Sequence, residues 1–183
     1  MFTVRIETAQ PHDLSRYIDF LEEVATWLHA RGIEQWRPGN FRRASAFYAE
    51  SIAAGEVQLA FVGEALVATL RVLLEERVVW PEMTADDGVY VHTFAVARAW
   101  ASRGLGPRLL AWTESHAAAL GRQWVRLDCM ADNQFLQNYY AQAGFRERGD
   151  IDARFPEPVG TLRLRRYEKR VSDERVDARS AGS

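Results

Sequence analysis

The sequence predicts an α/β domain. Three observations carry this. Strand-like runs alternate with runs of helical period in the order β-α-α-β-β-β-α-β-α-β-β, glycines close most of the helical runs, and one strand passes through a glycine cluster straight into a helix.

Phe2 to Glu7 alternates apolar and polar residues, as a half-buried strand does. Pro11 and Asp13 open a helix, since Pro fits the first turn and the dipole favours Asp there. Leu14, Tyr17, Ile18, Leu21, Val24, Ala25 and Leu28 recur at spacings of three and four until Gly32. A second helix is predicted over Phe41 to Ala54, closed by Gly55. Val57 to Val62 and Leu66 to Leu74 read as strands around a tight turn at Gly63-Glu64. Glu75 to Gly88, with Pro81, Asp86 and Asp87, reads as a strand end and a loop. Val89 to Ala97 is the next strand. After Arg103-Gly104-Leu105-Gly106, Pro107 starts a helix whose face is Leu109, Leu110, Thr113, Ala117 and Leu120, ended by Gly121. Trp124 to Cys129 is a buried strand. Asp132 or Asn133 caps the following helix, whose face is Leu136, Tyr139, Tyr140 and Ala143, with Gly144 closing it. Phe145 and Thr161 to Tyr167 supply the last strands, across a loop holding Pro156 and Pro158. In 172–183 only Val176 is a large apolar residue, so a disordered tail is expected there, after a single domain over 1–171.

The bulk composition narrows the function classes. The chain has 183 residues, 48% of them hydrophobic and six of them Trp, enough for one domain with a sizeable core. Twenty-three basic against 25 acidic residues gives a net charge of -2 and no basic surplus for nucleic acid. Cys129 is the single cysteine, so no internal disulfide and no Cys-based zinc site is expected, and no metal-ligand spacing is present. No run approaches the roughly 18 apolar residues of a membrane span, and Met1 to Arg5 lacks the shape of a signal peptide. The expected protein is cytoplasmic, with no nucleic-acid or membrane partner.

The segment Arg103-Gly104-Leu105-Gly106-Pro107-Arg108 lies between a strand and a helix. A helix's first turn offers unpaired N–H groups and the positive end of the dipole, and glycine lets an anion approach the backbone. Arg103 and Arg108 can add charge-assisted hydrogen bonds. The alternative is a plain turn with two permissive glycines. No Gly-Lys-Ser/Thr follows, and Leu109 stands where a G-x-G-x-x-G pattern needs its third glycine, which disfavours nucleotide kinases and Rossmann dehydrogenases. Further along come Asp132-Asn133 and then Tyr139-Tyr140-Ala141-Gln142-Ala143-Gly144-Phe145.

Together these segments resemble the GNAT superfamily of N-acetyltransferases. Val96-Ala97-Arg98 stands for the family's V-x-P, Ala101-Ser102-Arg103-Gly104-Leu105-Gly106 for its phosphate-binding R-x-x-G-x-G, and Asn133 and Tyr140 to Phe145 match directly. The resemblance is close over Val89 to Gly149 and follows the element order of the whole chain. It implies a mixed, mostly antiparallel sheet flanked by helices, with splayed central strands holding CoA. It also implies transfer of an acetyl group from acetyl-CoA, as co-substrate, to a primary amine by direct attack, without a metal. Three departures are present: Arg98 for Pro, Ala101 for Arg or Gln, and Pro107, which removes one backbone donor. Arg98, Arg103 or Arg108 can compensate.

The resemblance assigns the pantetheine-pairing edge to Phe94, Ala95 and Val96. It assigns the phosphates to Arg98, Ser102, Arg103, Gly104, Leu105, Gly106, Pro107 and Arg108. Tyr140 becomes the general acid, since a phenol stays protonated at neutral pH and can donate to a thiolate; core packing with Leu136, or Tyr139 in its place, is the alternative. Asn133 holds the pantetheine, caps its helix, or does both. His92, four residues ahead of Val96, is the candidate base, with Glu34 and Asp128 as rivals, and the base is left open. Trp27 and Gly32 to Trp36 fall where the acceptor pocket is expected. A small-molecule acceptor is favoured, with protein lysines and N-termini, or a non-catalytic acyl-CoA-binding module, as alternatives. A homodimer through Thr161 to Tyr167 is also considered, with Arg163, Arg165 and Arg166 on one solvated face.

Overall fold

The computed structural model describes residues 2–85 and 87–172. One seven-stranded sheet organises them. The strands are β1 (Arg5–Thr8), β2 (Val57–Val62), β3 (Ala65–Leu73), β4 (Gly88–Val96), β5 (Trp124–Met130), β6 (Arg146–Arg154) and β7 (Thr161–Arg170), in the spatial order β1-β2-β3-β4-β5-β7-β6. Every neighbouring pair is antiparallel except β4–β5, so the sheet is mixed and mostly antiparallel. The helices are α1 (Leu14–His29), α2 (Asn40–Arg43), α3 (Ser45–Ala53), α4 (Leu105–Ala119) and α5 (Gln134–Gln142).

Strand alternation decides which helices cover which face. On β2, Val57, Leu59 and Phe61 join the cluster under α1 to α3 with Tyr17, Leu21, Phe41 and Ile52. Val89, Val91, Val125 and Leu127 join the opposite cluster with Leu105, Leu109 and Tyr140 from α4 and α5. A smaller cluster of Val79, Trp80, Tyr90, Ala153 and Leu164 fills the space beside the β3–β4 loop.

On β4 the alternation reverses partway. Val89 and Val91 face the α4 side, yet Ala95 belongs to the α1 side and Phe94 and Val96 lean on the α4 cluster. One extra residue at Thr93 explains it: the β3–β4 register shifts between Thr69 and Arg71, and Thr93 adopts φ 44°. A bulge of this kind bends a strand and flips the residues beyond it. The Thr93 hydroxyl is tied to the Tyr17 hydroxyl at 3.1 Å, and Tyr17 is fully buried.

Several elements differ from expectation for local reasons. β1 pairs only over Arg5–Thr8, with Phe61 to Gln58, because Phe2 packs edge-on against Trp100 at 5.0 Å instead. The helix expected over Phe41 to Ala54 breaks at Ala44, at φ −94° and ψ 19°. The buried Glu22 of α1 accepts from the amides of Gly39 at 2.6 Å and Arg42 at 2.9 Å, which fixes the short α2 separately. β7 lies between β5 and β6, so Thr161 to Tyr167 offers no free edge for dimer pairing. Its arginines do not share a solvated face: Arg165 is bound to Asp150 at 2.7 Å, while Arg166 lies over Trp80 on the other side and reaches Glu82 at 2.6 Å. The expected tail falls at 173–183, outside the described residues, apart from Ser172. No helix among the described residues is long and apolar enough to cross a membrane.

Replacing Glu22 by Ala removes both acceptors from the α2 amides. It should lower the unfolding free energy by about 1–3 kcal/mol, read from urea titrations; an unchanged midpoint would mean that water serves those amides equally well.

Candidate active site

The site begins where two strands part. β4 and β5 pair only from Gly88 with Trp124 to Val91 with Leu127. Beyond that, His92 to Val96 is paired on its β3 side, and Asp128 to Met130 on its β7 side. The bulge at Thr93 turns β4 away and leaves the edge that faced β5 open. A cavity of about 1860 Å³ passes through this region, lined by Phe94, Ala95 and Val96 and continuing to the glycine loop and the α1–α2 loop.

At the glycine loop, Ser102 and Gly104 both have left-handed φ, 61° and 76°, and Gly104 caps α4. Among the described residues the amides of Ser102, Gly104, Leu105 and Gly106 have no backbone acceptor. They form a concave donor set at the positive end of a 15-residue helix, which suits phosphate oxygens. Pro107 is the third residue of α4 rather than its first, so the missing N–H comes from within this first turn. A methyl group on Gly106 would overlap the hydroxyl of Tyr139, which is buried and without a hydrogen-bond partner among the described residues.

The three arginines here lie against aromatic side chains. Arg98 lines the cavity with its guanidinium 5.0 Å from the centre of the Trp27 ring. Arg103 lies over Trp100 at 5.2 Å, and Arg108 lies over Phe2 and donates to its carbonyl at 3.2 Å. Neither lines the cavity, so backbone amides dominate this end.

Tyr140 is buried on the α5 face, packed on Tyr139, Tyr167 and Phe145 with ring centres 5.6, 5.6 and 6.0 Å away. Burial, then Cys129 and Asp128 nearby, pushes its pKa well above the ordinary phenol value, so it stays protonated. Burial and the neighbouring Asp128 likewise push the Cys129 thiol up to about 12, which leaves it inert. Asn133 caps α5 by accepting from the Leu136 amide at 3.1 Å. Its side-chain nitrogen donates to Gln35 at 3.0 Å, and Gln35 also accepts from the Met130 amide at 3.3 Å. One oxygen of the α1–α2 loop thus joins the end of β5 to the cap of α5.

His92 and Asp128 come together on the α1 side of the sheet with a residue the sequence did not single out. His92 Nε2 lies 2.8 Å from Glu76 Oε2, and Nδ1 lies 3.4 Å from Asp128 Oδ2. The Glu76 approach is an ion-pair distance but is poorly aligned for a hydrogen bond. The other Glu76 oxygen accepts from the amides of Val78 at 2.6 Å and Val79 at 3.2 Å. Burial raises the Glu76 pKa, but His92 and the two amides outweigh it and bring it down to about 2. Burial and Glu76 raise Asp128, against the pull of His92. Glu34 is exposed on the cavity wall, away from this cluster.

Residues 21–145 match the pattern of the acetyltransferase (GNAT) family. The uncharacterized N-acetyltransferase YesJ of Bacillus subtilis (strain 168) is 30% identical over 141 residues, 75% of this chain and 78% of that protein. The chain belongs to the GNAT family.

A GNAT acetyltransferase of Listeria monocytogenes 4b F2365 has the same fold, with a TM-score of 0.74 and 23% identity over 91% of this chain and 94% of its own. YncA of Salmonella typhimurium, whose structure holds acetyl-CoA, matches at a TM-score of 0.63 and 15% identity over 93% and 95%. This chain is thus a GNAT-family N-acetyltransferase. Glu76 escaped the sequence reading because it lies in an aperiodic loop beside Glu75 and Arg77, with nothing local to distinguish it from a solvated carboxylate.

Two outcomes follow from the geometry. Gly106→Ala should weaken CoA binding at least about tenfold in a calorimetric titration, and adding Tyr139→Phe should recover most of the loss by removing the overlapped hydroxyl. Loss in the double variant equal to that in the single one would show that the Tyr139 contact is not the cause. Glu76 has a folded pKa near 2, below its ordinary 4.5, so its stabilisation is full above about 4.5 and is lost as pH falls toward 2. The stability gap between the native chain and Glu76→Gln should therefore be wide at neutral pH and close on acidification; a pH-independent gap would contradict this.

Proposed function

We propose that the chain transfers the acetyl group of acetyl-CoA directly to the primary amine of a small-molecule acceptor, with Tyr140 as general acid and His92 as general base. The observation that carries this reading is the placement of both groups on one cavity at the β4–β5 opening, Tyr140 from the α5 face and His92 from the α1 face. The side chains of Glu76, His92 and Asp128 are only 8%, 14% and 12% exposed, so a slim amine reaches them more readily than a folded protein surface does.

Acetyl-CoA supplies an acetyl group activated as a thioester. The residues present fit it: the amides of Ser102, Gly104, Leu105 and Gly106 would hold its phosphates, and the open edge at Phe94, Ala95 and Val96 would pair with its pantetheine arm and polarise the carbonyl. Asn133 would act on that arm mainly by fixing the end of β5 and the start of α5, since its oxygen and nitrogen already have protein partners. Tyr140 would give its proton at Oη to the departing sulfur.

The amine must lose its own proton. For a lysine-like amine of pKa near 10.4, this costs about 4–5 kcal/mol at neutral pH. A proton taken by His92, directly or through water, is held between the carboxylates of Glu76 and Asp128. In this reading Asp128 serves as a counter-charge to the protonated imidazole, 3.4 Å from His92 Nδ1.

Tyr140→Phe should lower turnover well beyond tenfold, by about 2 kcal/mol or more of transition-state stabilisation, with CoA binding nearly unchanged. Release of free thiol from acetyl-CoA over a panel of amines measures the first, and calorimetry the second. Turnover equal to the native chain's would remove Tyr140 from the role; activity on peptides alone would move the acceptor to proteins.

A further inference from the structure

Resting on that acetyltransferase reading, we infer that Arg71 forms an oxyanion subsite beside His92, so that the preferred acceptors carry a carboxylate close to the amine, as amino acids do. Arg71 and His92 are direct partners across β3 and β4. Side chains opposed in this way share one face of the sheet, with Cβ atoms roughly 5 Å apart. Both line the cavity.

Arg71 is prepared as an anion receptor. Its side chain is only 12% exposed. The Nε atom is held by Glu56 Oε2 at 2.9 Å, and the guanidinium lies over the Phe47 ring, 4.7 Å from its centre. These two contacts fix the plane of the fork. Among the described residues its two terminal nitrogens have no hydrogen-bond acceptor. A guanidinium with both terminal nitrogens available matches the two oxygens of a carboxylate.

The neighbouring charges complement the other half of such a molecule. Glu76 and Asp128 flank His92 and attract an ammonium group, while Arg71 one strand away attracts the acid. An amine without an anionic group would satisfy only one of the two. The separation set by adjacent strands suits an acid and an amine a few bonds apart rather than the ends of a long polyamine.

The test compares matched acceptors with acetyl-CoA in the thiol-release assay: each common amino acid, its carboxamide, and the decarboxylated amine, with taurine and aminomethylphosphonate as tetrahedral oxyanions. At least one amino acid should exceed its carboxamide and amine by about tenfold or more in kcat/KM. Taurine or aminomethylphosphonate as the best acceptor would keep the subsite and change its oxyanion. Arg71→Gln should erase the preference by raising KM for the acid, leaving KM for the carboxamide and CoA affinity near native values, while Arg71→Lys should restore only part of it. If Arg71→Gln does not fold, the native comparison of acid with carboxamide decides alone. Equal turnover of acid and carboxamide, or an equal loss for both in Arg71→Gln, would overturn the subsite. Acetylation confined to amines without an acid group would overturn it while leaving the acetyltransferase reading intact; failure to bind acetyl-CoA in calorimetry would instead strike that reading itself.

Discussion

One extra residue in β4 governs the rest of this molecule. Two strands paired in parallel would ordinarily continue side by side, their polar backbone groups satisfied by each other. Here Thr93 adopts a left-handed conformation uncommon for a β-branched residue, and the buried hydroxyl of Tyr17 accompanies it there. The strain is tolerated because β4 stays hydrogen-bonded to β3 on both sides of the bulge, from Tyr90 opposite Leu73 to Val96 opposite Ala68. What is gained is an opening through the middle of a sheet that is otherwise well packed on both faces. It leaves a row of backbone donors and acceptors that an extended ligand arm can meet as a strand would.

The two ends of that opening have different electrostatic character. The glycine-loop end is built from backbone amides and a helix terminus, a fixed field that survives the diversion of Arg103 and Arg108 to Trp100 and Phe2. The α1-side end is built from charged side chains in close array, Glu76 and Asp128 around His92, with Arg71 across the strand. Such a site is costly to bury, and two of its groups are anchored, Glu76 by two amides and Arg71 by Glu56.

Much of this was legible in the sequence, because periodicity and glycine chemistry are local. The strand-like run of Val57 to Val62, the helical stripe from Leu14 to Leu28 and the strand–glycine–helix run ending at Arg108 all specify their elements without help from distant residues. What was not legible depended on three-dimensional neighbours. Ala44 breaks a helix that its own composition would continue, because Glu22, far earlier in the chain, caps the preceding turn. The contact of Arg108 with the carbonyl of Phe2 joins positions 106 residues apart, which no local pattern reveals. Glu76 has no motif at all, and only the fold brings it to His92. The strand Thr161 to Tyr167 reads as a terminal edge, but β6 pairs outside it, and nothing in the order of residues says which of two late strands is inserted between the others.

Gln35 has a mechanical meaning beyond its hydrogen bonds. Its single oxygen accepts from both Met130 and Asn133, so the loop after α1 and the start of the helix carrying Tyr140 are tied at one point. That strut joins the loop lining one part of the cavity to the helix lining another. The next residue, Trp36, sits edge-on to Phe41 at 5.5 Å and lines the same space. The strut thus holds an indole at the cavity wall, one of three tryptophans, with Trp27 and Trp100, that line the space.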